Sequence, residues 1–317
     1  KSSRRRSRLL KRRIPTIRFP LDMALNTQTL KTRSLTAVVF VVVMAVGLFG
    51  NAWTYLSLFS FLLVACWREY GKLIDRIQQR DLHPYLYLGW MLNGLAIAWL
   101  FAGMYGQFGS FWFPGTLIFP LHLAGFIFLV WGTLASSNLS FLHWIMAAAG
   151  NLYISLPWAL ALHLYGVDSN LLEVDLFFPS AAWWVVVAIA TMWINDTMAY
   201  LLGSLIGRTP FSKISPKKTW EGTLSGILCA TLLLGWVLDR CLYDESVGSV
   251  TGYVLVFLLT VAGTLGDLFE SKLKRLAGVK DSGALMPGHG GVLDRFDSLL
   301  FALPVLYLFL RATSVAY

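Results

Sequence analysis

Nine apolar segments, most of them long enough to be helices, constrain this chain more than any other feature of its sequence. Their approximate bounds are 35–50, 55–67, 84–104, 115–135, 141–164, 181–203, 222–238, 251–267 and 292–310. Runs of this kind satisfy their backbone in lipid as α-helices, whereas an outer-membrane barrel would show short alternating segments. With 56% hydrophobic and 14% charged residues and a mean hydropathy of +0.63, 317 residues have too little polar surface for a soluble globule. The expectation is an all-α fold, a polytopic integral membrane helical bundle with about nine transmembrane helices. Several segments fall short of the roughly 20 residues of a perpendicular span, and the second crosses only with its flanks. The first two, joined by Asn51 to Thr54, form a helical hairpin.

Charge is distributed unevenly. Of a formal +9, nine Lys/Arg and no acid fall in the first twenty residues, which leaves 17 bases against 17 acids in the remainder. The basic balance therefore belongs to a tail and argues for no nucleic-acid partner. A topogenic extension explains that tail, and binding to anionic lipid head groups is its alternative. Met23 is a candidate native start, with the residues before it upstream of the native chain. With nine crossings and a cytoplasmic N-terminus, 24 of the 26 Lys/Arg reach the cytoplasmic side: in the tail, a 68–80 loop, a 208–218 loop and the 272–295 stretch. Asp168, Glu173 and Asp175 fall in a base-free loop on the other face. This layout expects an inner, cytoplasmic-membrane protein with its working face in the cytosol.

Three regions follow. Residues 1–34 read as a basic, disordered tail, 35–180 as a membrane scaffold or oligomerisation half, and 181–317 as the catalytic half. The first five spans carry no acid within an apolar segment, and His122, His143 and His163 sit singly, as packing histidines do. Cys66, Cys229 and Cys241 lack CxxC-like spacing and read as packing residues. Polarity enters the membrane at Asn195 and Asp196. Asp196 is costly there unless paired, solvated or metal-bound; the alternative is a helix-packing acid satisfied by a neighbour.

The loop GRTPFSKISPKKTWEG presents Arg208, Lys213, Lys217 and Lys218 with Ser215 and Thr219, then Glu221 and Gly222 at a helix start. Cations, a hydroxyl and free N–H groups at a helix N-terminus suit a polyphosphate, although a topogenic loop has the same composition. No GxxxxGK[ST] pattern is present. The stretch Ser271 to Asp297 holds five Lys/Arg, three Asp and five Gly between apolar segments. Asp267 and Glu270 lie three apart on one helical face, as do Asp294 and Asp297 on the next helix. If these helices pack side by side, Asp267 and Asp294 converge, a hard-oxygen site suited to Mg2+; surface ion pairing with nearby bases is the alternative. His289 is open among phosphate contact, acid–base work and helix capping, while Gly290 and Gly291 suggest close backbone approach to a ligand.

This stretch resembles the signature of the phosphatidate cytidylyltransferases: Ser271, Lys274, Arg275, Lys280, Asp281, His289, Gly290, Gly291, Asp294, Arg295 and Asp297 stand in register across 27 residues. Met286, where the family usually has another large apolar residue, is a volume-conserving departure. The SPKKTWEG run, Asp196 with Tyr200 and Gly203, and the nine-span layout are similar to the same family. The resemblance implies a nucleotidyltransferase of phospholipid biosynthesis that joins CTP and phosphatidate to give CDP-diacylglycerol and diphosphate at the cytoplasmic face. It also implies a homodimer and a metal centre of Mg2+, with K+ as a second cation. On this likeness Asp267 and Asp294 hold the metal, with Asp196 and Asp297 as further candidates. Ser215, Lys217, Lys218, Thr219 and Glu221 bind the triphosphate. Lys274, Arg275, Lys280 and Arg295 face the lipid phosphate or departing diphosphate, Ser271, Gly290 and Gly291 bind substrate, and Asp281 and His289 orient or contact cytidine. A CTP-dependent lipid kinase and a secondary transporter are the rival classes; the first would give CDP, and the second lacks an inverted pair of broken segments here.

Overall fold

Each apolar segment folds as one helical rod. The structure, a computed structural model, describes residues 27–79, 84–103, 113–136, 139–165, 182–212, 214–241, 250–286 and 290–313. Its α-helices are α1 (Thr27–Phe49), α2 (Ala52–Gln78), α3 (Pro84–Gly103), α4 (Phe113–Ala135), α5 (Phe141–Gly150), α6 (Leu156–Leu164), α7 (Trp183–Ile206), α8 (Trp220–Cys241), α9 (Thr251–Leu276) and α10 (Leu293–Thr313). A π-turn at Asn151–Ser155 joins α5 to α6 without a break, so the described residues form nine rods. Seven are long and apolar enough to cross a membrane. The fold is an all-α membrane bundle.

Two expectations at the N-terminal end need correcting. Within the stretch read as a 68–80 loop, residues 68–78 are helical: α2 runs on to Gln78 and ends where Gln79 turns left-handed at φ 54°. Its buried face simply continues through Glu69, Tyr70, Leu73 and Ile74, so packing propagates the helix through the charges. Likewise α1 starts at Thr27, inside the stretch read as a disordered tail. Residues 1–26, and the loop with Asp168, Glu173 and Asp175, lie outside the described residues.

Helix ends are set locally. Asn51 caps α2 by accepting from Trp53 and Thr54 amides at 2.9 and 3.0 Å, and Thr54 Oγ1 accepts from the Asn51 amide at 2.9 Å. Gly278, at φ 67°, ends α9 with its amide donating to the Arg275 carbonyl.

Packing welds the two halves. Ring pairs Tyr55–Phe59, Phe59–Trp158 and Trp158–Phe296, at 4.5, 5.3 and 5.4 Å, tie α2 to α6 and α6 to α10. Each such fully buried ring contributes roughly 1.5–3 kcal/mol. The Tyr55 hydroxyl donates to the Ala161 carbonyl, and Trp67 Nε1 donates to Ser155 Oγ in the π-turn, both at 2.8 Å. In the other half α7 and α8 approach through small residues: a Cβ on Gly222 would lie 2.7 Å from Gly203 Cα. By contrast α4 turns Phe119, Phe126, Trp131 and Leu134 outward, as a lipid-facing rod does. His163 behaves as a packing histidine, its ring against Phe101 and Tyr307.

Candidate active site

Between α7 and α8 the chain folds back on itself. The Phe211 amide donates to the Lys218 carbonyl at 2.8 Å and the Trp220 amide to the Thr209 carbonyl at 2.9 Å, while the Phe211 and Trp220 rings meet edge-on at 4.5 Å. Glu221, expected to touch substrate, is spent on the base of this turn. Its carboxylate accepts from the Arg208 amide (3.1 Å), the Thr209 amide (3.1 and 3.2 Å) and Thr209 Oγ1 (2.8 Å). The turn thereby holds Lys217, Lys218 and Thr219 over a cavity. Ser215 sits inside the turn, its carbonyl accepting from the Lys218 amide, and is not among the cavity-lining residues.

The second segment joins α9 to α10. Lys274 Nζ lies between two carboxylates, Glu270 and, at 2.7 Å, Asp294 Oδ1. Asp294, on the first turn of α10 where the helix dipole favours an anion, also accepts from the Ser282 amide (3.1 and 2.9 Å) and the Gly291 amide (2.7 Å). Arg275 reaches back to the first turn, its Nε 3.5 Å from the Ile214 carbonyl, and to the Val279 carbonyl at 3.4 Å. Lys280 and Asp281 are exposed on this segment, and Ser271 is half-buried on α9; none lines the cavity. Gly290 adopts φ 86°, a conformation that favours glycine, and its carbonyl accepts from the Met286 amide at 3.0 Å. His289 lies outside the described residues.

The cavity, of about 690 Å³, is lined by eight of the expected residues, Asp196, Lys217, Lys218, Thr219, Asp267, Asp294, Arg295 and Asp297. Its polar lining comprises Asp196 from α7, Lys217 and Lys218 from the turn, Asp267 from α9, and Asp294, Arg295 and Asp297 from α10. Its apolar lining includes Phe40 and Met44 of α1 with Ile189, Met192 and Trp193 of α7. Lys218 Nζ pairs with Asp267 Oδ2 at 2.6 Å.

Does this donor set fit Mg2+? Asp267 and Asp294 line one cavity, so hard oxygens from adjacent helices are available there. Asp196 and Asp297 do not join them in a common cage: among the described residues no three His, Cys, Asp or Glu come close enough to enclose a metal. Asp297 is buried and accepts from the Ser298 amide at 2.6 Å, and the Asp196 carboxylate lies 3.4 Å from the Asn195 amide nitrogen. A cation here would take about two protein carboxylates and complete its shell with water and phosphate, the habit of Mg2+.

Two contributors escaped the reading from sequence. Glu69 of α2, buried, accepts from Ser282 Oγ and from the Val292 and Leu293 amides. Its signal was present: Cys66, Glu69, Tyr70 and Leu73 follow helical spacing, which places an acid on a buried face. The other is the α1 wall, for which a uniformly apolar segment gives no sign.

The sequence profile of the cytidylyltransferase family matches residues 31–313 of this chain. A phosphatidate cytidylyltransferase of Staphylococcus saprophyticus is 30% identical over 282 residues, 89% of this chain and 99% of that one. One from Synechocystis is 47% identical over 132 residues, 42% of this chain and 44% of that one. The chloroplastic phosphatidate cytidylyltransferase 4 of Arabidopsis thaliana is 45% identical over 126 residues, covering 39% of this chain and 31% of the plant protein.

Proposed function

This chain belongs to the cytidylyltransferase family, and from that premise we propose that it condenses CTP with phosphatidate to give CDP-diacylglycerol and diphosphate. It is a CTP-using nucleotidyltransferase of phospholipid synthesis, set in the membrane. The observation that carries this reading is a single cavity lined both by acids of α7, α9 and α10 with Lys217, Lys218 and Thr219, and by apolar side chains of α1 and α7.

That mixed lining matches the reactants. A phosphatidate head group lying among the charges would leave its acyl chains along Phe40, Met44 and Trp193, continuous with lipid. An oxygen of the lipid phosphate bonds to the α-phosphorus of CTP while the bond from that phosphorus to the bridging oxygen of the β-phosphate breaks, and diphosphate leaves with the electron pair. The nucleophile is already an anion at neutral pH, so no strong base is needed; positioning and charge neutralisation carry the rate. Lys217, Lys218 and Thr219 are placed to hold the triphosphate. Arg295, exposed at the cavity rim, suits the lipid phosphate or the departing diphosphate. Lys274 is already committed to Glu270 and Asp294, so it acts on phosphate through Asp294 rather than by contact. Mg2+, which Asp267 and Asp294 would hold, would offset repulsion among the phosphates.

Lys217, Lys218 and Arg295 in the cavity lining support a cytosolic orientation, since basic residues stay on the cytoplasmic side. The experiment is to incubate purified protein in detergent with phosphatidate, Mg2+ and CTP labelled on either the α- or the γ-phosphate. Label from the α-position should enter lipid and label from the γ-position should leave as diphosphate. Release of CDP with γ-label in the lipid would make the protein a lipid kinase and overturn the reading.

A further inference from the structure

Three consecutive amides, those of Gly291, Val292 and Leu293, are divided between two carboxylates that belong to different parts of the chain. Gly291 donates to Asp294 at 2.7 Å, whereas Val292 and Leu293 donate to Glu69 Oε1 and Oε2 at 3.1 and 2.8 Å. Ser282 joins the two acids: its amide donates to both oxygens of Asp294, and its hydroxyl donates to Glu69 Oε2 at 2.9 Å. Leu293 is the first residue of α10, so Glu69 supplies from α2 the anion that a helix N-terminus favours. Gly283 and Gly291 leave room for it, because a methyl group at either position would run into the Glu69 carboxylate.

We propose that Glu69 is a positioning residue for the cytidylyl transfer: from α2 it fixes the segment between α9 and α10 so that Asp294 faces the cavity before any ligand arrives. This rests on the function proposed above. Glu69 does not line the cavity and is 5% exposed, so it acts on reactants through Ser282, the 291–293 backbone and Asp294. Its carboxylate is acceptor-only, matched to three inward donors. Glutamine keeps the shape but brings two donors of its own, so at least one N–H or O–H at this buried site meets another donor. The segment would then relax away from α2 and carry Asp294 with it.

The test compares wild type, Glu69→Gln and Ser282→Ala in one detergent, by turnover with CTP and phosphatidate and by amide hydrogen exchange on protein free of metal and nucleotide. For Glu69→Gln, kcat should fall about 10- to 100-fold, the range for losing a partner that orients a metal-holding carboxylate. Half-saturation by Mg2+ should rise, while KM for CTP should stay within about twofold, because the Lys217–Thr219 turn does not touch Glu69. Exchange should quicken across 282–293 and remain as in wild type along the rest of α2 and α10. Ser282→Ala should move the same readouts in the same direction by a smaller factor. Wild-type turnover and exchange in Glu69→Gln would overturn the proposal. So would faster exchange throughout the bundle, which would make Glu69 a general fold determinant. If Glu69→Gln does not purify as folded protein, Ser282→Ala decides alone, and its matching wild type in both readouts overturns the proposal. Wild-type protein that yields no CDP-diacylglycerol would sink the proposed function, whereas exchange at 282–293 would still report on Glu69.

Discussion

Two lysines face carboxylates in this bundle, and their surroundings differ. Lys218 meets Asp267 with side chains 34% and 23% exposed, whereas Lys274 meets Glu270 and Asp294 with side chains 14%, 0% and 8% exposed. Water reaches the Lys218 end of the first pair, although Asp267 Oδ2 itself is buried, so this pair separates more cheaply than the second. Under the proposed function, an arriving triphosphate would take Lys218 and a cation Asp267. Around Lys274 water is scarce, and removing one member would strand charge in the interior. Exchangeable charge thus sits on the turn before α8, and fixed charge sits where α9 meets α10. Reading the sequence alone, both lysines look like phosphate ligands; the structure leaves Lys218 partly exposed beside Asp267 and commits Lys274 to two buried carboxylates.

Breaking the fixed arrangement should have the largest effect. Lys274→Met leaves Glu270 and Asp294 buried without their cation and should destabilise the protein by about 3–5 kcal/mol, with turnover lost as well. Thermal unfolding in detergent measures it, and a change under about 1 kcal/mol would erase the distinction between the two pairs. Asp267→Asn should do the opposite. Stability should stay within about 1 kcal/mol of wild type, because asparagine keeps the shape and the Lys218 ammonium can turn to water. Turnover should fall at least about 100-fold, the scale for losing one preorganised electrostatic group at a reacting phosphate. Wild-type turnover in Asp267→Asn would remove this carboxylate from the chemistry.

The bundle was legible because lipid enforces a simple rule: a long apolar run becomes a helix, and the nine runs correspond to nine rods among the described residues, seven of them long and apolar enough to span. Local ends were not read from the sequence, although Asn51 and Gly278 act within a few residues of themselves. What failed was charge on a buried face. Arg68, Lys72 and Arg76 made 68–80 look like a loop, yet Tyr70, Leu73 and Ile74 hold it helical and bring Glu69 against residues more than 200 positions away. Helical spacing placed Asp267 with Glu270 and Asp294 with Asp297, but a period says only that two residues share a face. It could not say that Lys274 would be drawn into Asp294, nor that Asp297 would turn inward to the Ser298 amide. Nor could the sequence separate α1 as a cavity wall from any other apolar helix.

The smallest effect should come from the base of the turn that carries the exchangeable lysine. Glu221 gathers the Arg208 and Thr209 amides and the Thr209 hydroxyl, and so sets the angle at which the turn leaves α7. The turn has other supports in the Phe211–Lys218 backbone bond and the Phe211–Trp220 ring contact. Glu221→Gln keeps one acceptor oxygen near the same donors, so the turn should persist with looser placement of Lys217 and Lys218. KM for CTP should then rise about two- to fivefold, with kcat within about twofold, because looser placement weakens ground-state and transition-state binding alike. Steady-state kinetics against CTP at saturating phosphatidate separate the two constants. A fall in kcat at unchanged KM would mean that Glu221 acts on the reacting groups themselves. The turn would then be part of the fixed machinery, and the contrast between Lys218 and Lys274 would have to be drawn elsewhere.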